Sequence, residues 1–249
     1  MRIAQITDLH MRHHLPGTAH IPRRKSRLVP DLLRRAVERL RAERPDVVIL
    51  SGDLLDYPLD RMEDPETLPI GRLDLVLIRD ILAGLDCPRL VLPGNHDPEP
   101  LVAEVFASPA ESEIAGHRVL AFVDREGEGN VPERKGESLA RFHRALDDGD
   151  ATPQVHVQHY LIWPVPEVQD WPYVYGEAEA LRQAIVASGR VRVVLSGHYH
   201  PGIAPRQLGD TWFATPPSFS EAPHALWVYD LDDRGFCWRA LEMETGVQG

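Results

Sequence analysis

Five short polar clusters carry the residues of this sequence that could do chemistry together. They are Asp8-Leu9-His10, Gly52-Asp53-Leu54-Leu55-Asp56, Gly94-Asn95-His96-Asp97, His159 and Gly197-His198-Tyr199-His200. Their Asp, His and Asn side chains offer oxygen and nitrogen donors without a thiol, and such a set suits Mn, Fe, Zn, Co or Ni better than a soft metal. The seven candidate ligands exceed the four of one tetrahedral zinc site. They are enough for two metals that share one carboxylate and a bridging water.

The spacing within these clusters favours chelation of a metal. Asp8 and His10, like His198 and His200, are two residues apart, so their side chains can point to the same side of a loop. A chelate formed within one short loop loses little backbone entropy. Glycine precedes several of the ligands, and without a Cβ the backbone can approach the metals closely.

Hydrophobic periodicity predicts the elements that must position these clusters. Short apolar runs predict strands over 3–7, 47–51, 89–92, 119–123, 155–158 and 191–196. Amphipathic runs predict helices over 27–44, 72–84, 99–107, 136–147 and 177–188. This alternation indicates βαβ units and an α/β fold. Each polar cluster follows one of the strands, and ligands bind at the carboxyl ends of strands in such sheets, so we expect the clusters to meet at one rim.

The last quarter of the chain changes to strands alone, predicted over 203–208, 211–214, 226–231 and 235–241, with a turn at 232–234. We expect a β-meander from about residue 201 that extends or stacks on the sheet. No linker long or polar enough to separate domains interrupts the chain, so the sequence predicts a single domain over 1–249. The stretch 124–136 is the most polar and glycine-rich, and we expect it to be mobile.

Taken in order, the motifs Asp-x-His, Gly-Asp-x-x-Asp, Gly-Asn-His-Asp, a lone His and Gly-His-x-His resemble those of the calcineurin-like metallophosphoesterase superfamily, over residues 8–200. The resemblance implies a four-layer α-β-β-α sandwich, in which two mixed sheets are flanked by helices. It also implies two metal ions, Mn²⁺, Fe²⁺/Fe³⁺ or Zn²⁺, that share Asp53. The other ligands would be Asp8, His10 and His200 for one ion, and Asn95, His159 and His198 for the second.

The remaining residues of the clusters receive catalytic or orienting roles. His96 has no metal assignment, so it is free to protonate the leaving alkoxide or to stabilise the phosphoryl oxygens, with Asp97 or another carboxylate orienting it. Asp56 is expected to align a ligand histidine. His156 competes with His159 for the ligand role, and His159 is preferred because it lies at the strand end.

The loop after the first cluster and the basic stretch beyond it hold candidate substrate contacts. The loop contributes Arg12, His13 and His14, and His20 is a further residue of it that could line the pocket, since loops carry specificity on such scaffolds. The stretch 23–44 holds nine of the 27 basic residues. Its charges indicate a solvated helix face. Arg23 and Arg24 could instead contact a second phosphate or a nucleotide, because Arg forms bidentate phosphate contacts.

The composition excludes several other classes of protein. The chain has 249 residues and a formal net charge of −11, so it lacks the positive surface of a nucleic-acid binder. No apolar run approaches the ~18 residues of a membrane helix, and the chain begins in an alternating segment rather than an apolar signal core. We therefore expect a cytoplasmic protein. Cys87 and Cys237 indicate neither a disulfide framework nor a cysteine metal site, and the terminal strands could supply the edge of a homodimer.

Differences from the motifs of other metallophosphoesterase subfamilies reduce the number of substrate classes that we expect. Tyr57-Pro58 follows Asp56 where protein Ser/Thr phosphatases carry Arg-Gly, and His96 stands where lipid A-pathway pyrophosphatases tend to carry Arg. The chain looks most similar to the small bacterial cyclic-nucleotide and glycerophosphodiester phosphodiesterases. We expect hydrolysis of a small phosphodiester, a 3′,5′-cyclic nucleotide, by attack of a metal-bridging hydroxide with His96 assisting the leaving group. The alternatives are a phosphomonoesterase, a nuclease or a non-enzymatic metal-binding scaffold for protein interactions.

Overall fold

The computed structural model describes residues 1–167, 172–232 and 235–243. The strands are β1 (Arg2–Ile6), β2 (Val47–Ser51), β3 (Arg89–Leu92), β4 (Glu111–Ile114), β5 (His117–Phe122), β6 (Arg125–Glu126), β7 (Pro132–Glu133), β8 (Gln154–Gln158), β9 (Val191–Leu195), β10 (Ile203–Leu208), β11 (Thr211–Thr215), β12 (Ala225–Asp232) and β13 (Gly235–Glu242). The α-helices are α1 (Val29–Glu43), α2 (Leu68–Leu82), α3 (Glu99–Phe106), α4 (Gly136–Asp147) and α5 (Ala178–Ser188). Within the described ranges, no helix has the length and apolar composition needed to cross a membrane.

The predicted strands and helices are all present, with shifts at their ends. The largest shift is in α2, which begins at Leu68 rather than at 72. Pro69 lies in its first turn, where a missing N–H leaves no helical hydrogen bond unmade. The pattern did not predict β4 or the short β6–β7 hairpin. β4 is a four-residue edge strand without a buried side chain, so it has no apolar run to signal it.

The strands form two large mixed sheets. The five-stranded sheet has the order β13-β12-β1-β2-β3, and the six-stranded sheet has the order β10-β11-β9-β8-β5-β4. β1, β2 and β3 are parallel to one another. In the second sheet β5, β8, β9 and β11 are parallel. The carboxyl ends of β1 to β3 therefore share one edge of the first sheet, and those of β8 and β9 share one edge of the second.

Three clusters of buried apolar side chains fill the spaces between the layers. The first packs the five-stranded sheet against α1, α2 and α3, the second fills the space between the two sheets, and the third packs the six-stranded sheet against α4 and α5. Alternation along a strand assigns its faces: in β1, Ile3 points toward the other sheet and Ala4 toward the helices. This order of layers confirms the expected four-layer α-β-β-α sandwich.

The C-terminal strands are divided between the two sheets, which differs from the expected meander. β11 joins β9 in parallel and carries β10 beside it, whereas β12 joins β1 and carries β13. Pro216-Pro217 directly follow β11, and because they lack the N–H groups of a strand ladder the chain leaves the sheet there. It crosses along the rim, where the N–H of Phe219 donates to the carbonyl of Thr7 at 3.0 Å. Two residues of the predicted turn, 233 and 234, lie outside the described residues.

The stretch 124–136, expected to be mobile, is anchored by a buried ion pair. Arg134 Nη2 lies 2.9 Å from Asp124 Oδ2, and neither side chain has exposed surface. The guanidinium carbon of Arg134 lies 4.1 Å from the ring centroid of Phe122. The hydroxyl of Tyr175 donates to Asp124 at 2.7 Å. These contacts tie the β6–β7 hairpin to the side of the sandwich that carries α4 and α5.

Removal of the Asp124 carboxylate should destabilise the fold. The substitution Asp124→Ala leaves the guanidinium of Arg134 buried without its counter-charge, so we expect the free energy of unfolding to fall by about 3–5 kcal/mol. Arg125→Ala, which removes an ion pair with Glu99 at the surface, is the matched control and should cost less than ~1 kcal/mol. Urea unfolding followed by circular dichroism measures both. Equal losses in the two variants would contradict the anchoring role.

Candidate dimetal centre

The polar clusters meet at one rim of the sandwich, as expected. The predicted ligands follow the strands in this order: Asp8 and His10 after β1, Asp53 after β2, Asn95 after β3, His159 after β8, and His198 and His200 after β9. Their ligand atoms lie in two adjacent groups. Loops that follow five different strands of the two sheets therefore build one site.

The first group consists of Asp8, His10, Asp53 and His200, whose ligand atoms all lie within 4.8 Å of one another. His10 Nε2 lies 3.4 Å from Asp53 Oδ2 and 3.0 Å from His200 Nε2. His200 Nε2 lies 3.4 Å from Asp8 Oδ1. Two carboxylate oxygens and two imidazole nitrogens thus surround one small volume.

The second group consists of Asp53, His159 and His198, again with ligand atoms within 4.8 Å of one another. His159 Nε2 lies 3.4 Å from Asp53 Oδ1 and 3.2 Å from the amide oxygen of Asn95. Asp53 therefore presents one carboxylate oxygen to each group. This is the arrangement that a carboxylate shared between two cations requires.

His156, the alternative to His159, lies elsewhere. Its Nε2 is 2.9 Å from Gln154 Oε1, and its ring packs against the rings of Phe122 and Phe142 at centroid distances of 5.1 and 5.9 Å. His156 points into the apolar layer beneath the second sheet, so only His159 reaches the site.

Hydrogen bonds fix the orientation of two ligand rings. His159 Nδ1 donates to the carbonyl of Ser51 at 2.8 Å, and His200 Nδ1 donates to the carboxylate of Glu221 at 2.7 Å. When Nδ1 carries the proton in this way, Nε2 of a neutral ring keeps its lone pair for a metal. No sequence motif pointed to Glu221. It lies in the segment that crosses between the sheets, and no motif spacing relates it to His200.

The ligand loops have unusual backbone conformations. Asp8, His10, Asp53 and His198 have φ angles of 53°, 41°, 54° and 66°, which place them in the left-handed region that non-glycine residues seldom adopt. Such conformations cost of order 1–3 kcal/mol each and persist only where the surrounding structure enforces them. Four strained ligands at one rim are typical of a functional site.

Two glycines of the motifs allow the ligand loops to approach one another. Gly52 has a φ of 100°, and a Cβ there would lie 2.4 Å from His159 Nδ1. A Cβ at Gly94 would lie 2.2 Å from Asp53 Oδ1. The sequence predicted that the backbone at these glycines approaches the metals. In the structure it approaches the candidate ligand side chains instead.

Asp8 leaves a buried acceptor free for a cation. Its Oδ2 accepts hydrogen bonds from the hydroxyl of Thr7 at 2.7 Å and from the N–H of His198 at 3.0 Å. Its Oδ1 is buried and makes no hydrogen bond within the part of the chain that the structure describes. A buried carboxylate oxygen without a donor is costly unless a cation satisfies it, so the donor set fits metal ions.

The charges of the site support the same conclusion. Burial would raise the pKa of Asp53, but the neighbouring His159 and His96 hold it well below its usual range. Burial lowers the pKa of His159, whereas Asp53 beside it raises it, and the net value is about 9. The carboxylate of Asp53 is thus ionised although it is buried, as a metal ligand must be, and a cation bound there would displace the Nε2 proton of His159.

His96 lies against the site without joining either ligand group. Its N–H donates to Asp53 Oδ1 at 2.9 Å, and its ring makes an edge contact with His10 at a centroid distance of 4.8 Å. Burial lowers the pKa of His96, and its Nδ1 has no hydrogen-bond partner among the described residues. The ring lines the cavity in front of the ligands, which is the location that its expected role requires.

Asp97 is placed differently from the expectation that it orients His96. Its carboxylate accepts hydrogen bonds from the N–H groups of Leu54, Leu55 and Gly94 at 2.9–3.0 Å. Burial and the charge of Asp53 raise the pKa of Asp97 to about 7. Asp97 therefore joins the loop after β2 to the loop after β3, and it does not contact the imidazole of its neighbour.

Asp56 was expected to align a ligand histidine, but its carboxylate contacts other residues. Its Oδ2 accepts from the hydroxyl of Ser26 at 2.9 Å and lies 3.2 Å from Arg12 Nε. Its Oδ1 lies 3.3 Å from Arg24 Nη1. Asp56 thus orients two arginines rather than a histidine, because the loop that carries both arginines folds over the end of β2.

A cavity of about 540 Å³ opens over the ligands and His96. It is lined by Arg12, by both of the other arginines expected to contact a phosphate, and by one histidine and two tyrosines: Arg23, Arg24, His20, Tyr173 and Tyr199. His13 and His14, the other two expected substrate contacts, are not among the lining residues. Their N–H groups donate to the buried carboxylate of Asp74 at 3.1 and 2.9 Å, which turns this part of the loop away from the cavity.

Comparisons with known proteins agree with the fold. Residues 1–202 match the family model of the calcineurin-like phosphoesterases. The chain is 26% identical to a probable cyclic nucleotide phosphodiesterase of Synechococcus sp., over 98% of this chain and 88% of the relative. It is 25% identical to the glycerophosphodiester phosphodiesterase GpdQ of Enterobacter lignolyticus, over 88% of this chain and 77% of the relative.

The solved structure of a dimetal phosphatase from Danio rerio has the same fold. It aligns with a TM-score of 0.66 at 16% identity, over 98% of this chain and 99% of the other. Because the family model covers most of the chain and the motif residues meet at one rim, the protein belongs to the calcineurin-like phosphoesterase family of hydrolases, whose members use dimetal centres.

Proposed function

We propose that this protein hydrolyses a small phosphodiester and that a 3′,5′-cyclic nucleotide is its natural ester. The observation that carries the proposal is the position of Asp53, which presents one oxygen to each ligand group below a cavity with His96 in its wall. The relatives named as cyclic-nucleotide and glycerophosphodiester phosphodiesterases support a diester. The cytoplasmic location and the homodimer expected from the sequence stay predictions.

The ligand set suits two ions of Mn, Fe or Zn. Asp8, His10 and His200 would hold one, Asn95, His159 and His198 the other, with Asp53 shared. Two bound ions would neutralise phosphoryl charge and lower the pKa of water toward neutrality.

The protein's own residues position the ester and the proton donor. The backbone N–H of His96 donates a hydrogen bond to Asp53, and this contact holds the imidazole of His96 in the cavity wall next to the ligand groups. An imidazole N–H there can donate to the phosphoryl oxygens or to the leaving oxygen. Arg12 adds a cation to the same wall.

The dimensions of the cavity favour a small ester. About 540 Å³ is within the usual range of small-molecule sites. The rings of Tyr173 and Tyr199 meet at a centroid distance of 5.0 Å and line the side near His198. Aromatic faces of this kind can stack on a nucleobase, which supports a nucleotide over an aliphatic diester.

Removal of the shared carboxylate should abolish binding of two metal ions. We expect the reconstituted protein to hold two ions per chain and Asp53→Asn to hold at most one, since both groups lose an anionic ligand. Elemental analysis after dialysis against Mn²⁺ measures the stoichiometry. Asp60→Asn, an exposed carboxylate outside the site, is the control and should retain both ions. Two ions in Asp53→Asn would refute the shared ligand.

Loss of the His96 imidazole should slow the chemical step. We expect His96→Ala to lower kcat for bis(p-nitrophenyl) phosphate about 10²–10⁴-fold at unchanged metal content. His143→Ala, an exposed histidine on α4, should leave kcat unchanged. The same kcat in wild type and His96→Ala would rule out the assigned role.

The substrate is tested by comparing kcat/KM for bis(p-nitrophenyl) phosphate, p-nitrophenyl phosphate, 3′,5′- and 2′,3′-cyclic nucleotides and single-stranded DNA. We expect the highest value for a 3′,5′-cyclic nucleotide among the natural esters. Turnover of none of these by metal-loaded protein would overturn the enzymatic proposal and favour the scaffold alternative.

A further inference from the structure

Three arginines line the cavity wall. Arg23 pairs with Glu221 at 2.8 Å, whereas Arg12 and Arg24 share the carboxylate of Asp56. Arg12 Nε donates to the carbonyl of Asp56 at 2.9 Å and lies 3.2 Å from its Oδ2. Arg24 Nη1 lies 3.3 Å from Asp56 Oδ1. The exposed fractions of the Arg12 and Arg24 side chains are 7% and 11%. One carboxylate cannot neutralise both of these guanidinium groups, so the group formed by Arg12, Asp56 and Arg24 keeps a net charge of +1.

Arg24 has unused hydrogen-bonding capacity. A guanidinium carries five N–H donors. The contact with Asp56 is long at 3.3 Å, and the Nε of Arg24 is buried with no acceptor among the described residues. Ser26 and Arg12 engage Oδ2 of Asp56, and Arg24 reaches only Oδ1, through Nη1, so its Nε is left without an acceptor in the described part of the chain. A buried donor without a partner is costly, so an anion in the cavity would stabilise this group.

The charge of Arg24 acts directly on the site. Burial lowers the pKa values of His10 and His96, and the positive charge of Arg24 lowers both further. Arg24 also lines the same cavity as Asp53 and His96. The guanidinium is therefore close to the place where a phosphoryl group would lie.

Diester hydrolysis increases the negative charge of the phosphoryl group. One P–O bond to the leaving alkoxide breaks and one P–O bond to the oxygen of water forms. One proton of the water ends on the leaving oxygen, and the second is released to solvent when the monoester ionises with a pKa near 6. The group thus changes from a charge of −1 in the substrate to nearly −2 in the product at neutral pH.

The geometry points to Arg24, positioned by Asp56, as a catalytic residue that binds the phosphoryl group as its charge grows from −1 to −2. This inference rests on the proposed function. A cation that matches charge developed during the reaction lowers the barrier more than it strengthens substrate binding. Arg24 should therefore act on kcat with a monoanionic diester, and on KM with a monoester, which is dianionic from the start.

The test is steady-state kinetics of Mn²⁺-loaded wild type, Arg24→Gln and Arg24→Lys with bis(p-nitrophenyl) phosphate and p-nitrophenyl phosphate. We expect Arg24→Gln to lower kcat for the diester about 10–100-fold with KM changed less than about twofold, and to raise KM for the monoester about tenfold. Arg24→Lys should recover part of the lost kcat, since lysine keeps the positive charge but lacks the paired N–H donors of a guanidinium. Lys25→Gln removes the same charge from an exposed neighbour outside the cavity and should change neither constant.

Equilibrium binding of inorganic phosphate gives a readout independent of turnover. We expect calorimetry to show Kd for phosphate weakened about tenfold in Arg24→Gln and unchanged in Lys25→Gln. Asp56→Asn, with unchanged metal content, should cause smaller changes of the same kind: a lower kcat for the diester and a higher KM for the monoester. A rise in KM for the diester at constant kcat, or no change in either constant and in Kd, would overturn the inference. If wild type turns over no ester, the proposed function fails, and phosphate binding alone decides the role of Arg24.

Discussion

The shared carboxylate of Asp53 is the interaction on which the geometry of the site depends. One oxygen lies 3.4 Å from His10 Nε2, and the other lies 3.4 Å from His159 Nε2 and accepts the N–H of His96 at 2.9 Å. A single residue after β2 therefore links the loops after β1, β3 and β8, which belong to two different sheets. Any displacement of this side chain would alter both ligand groups and the position of the imidazole in the cavity wall.

The sandwich enforces this arrangement against local strain. Asp8, His10, Asp53 and His198 hold left-handed backbones, and at order 1–3 kcal/mol each these conformations need support from packed neighbours. The support comes from the strands that immediately precede the ligands, whose side chains are buried on both faces in the apolar clusters between the layers. Asp97 adds to it by accepting N–H groups from two of the ligand loops. These contacts hold the candidate ligand atoms close together in the folded chain.

Much of the fold could be predicted, as could the meeting of the candidate ligands at one rim, because each candidate ligand lies in the loop that follows a buried strand. The roles of Asp97 and Asp56 could not be predicted from the sequence. A carboxylate in a turn can accept hydrogen bonds from an imidazole, from backbone N–H groups or from a guanidinium, and only the distances in the folded chain decide among these partners. Glu221 was missed because its link to His200 arises where the chain crosses between the sheets. The division of the C-terminal strands likewise depends on pairing across the whole chain, as with Arg2 and Asp230, and local periodicity carries no information on such partners.

Anomalous diffraction from crystals of the protein reconstituted with Mn²⁺ tests the shared carboxylate most directly. We expect two anomalous peaks, one beside each oxygen of Asp53, with His10 and His200 at the first and His159 and His198 at the second. A single peak, or two peaks of which neither contacts Asp53, would contradict the shared carboxylate.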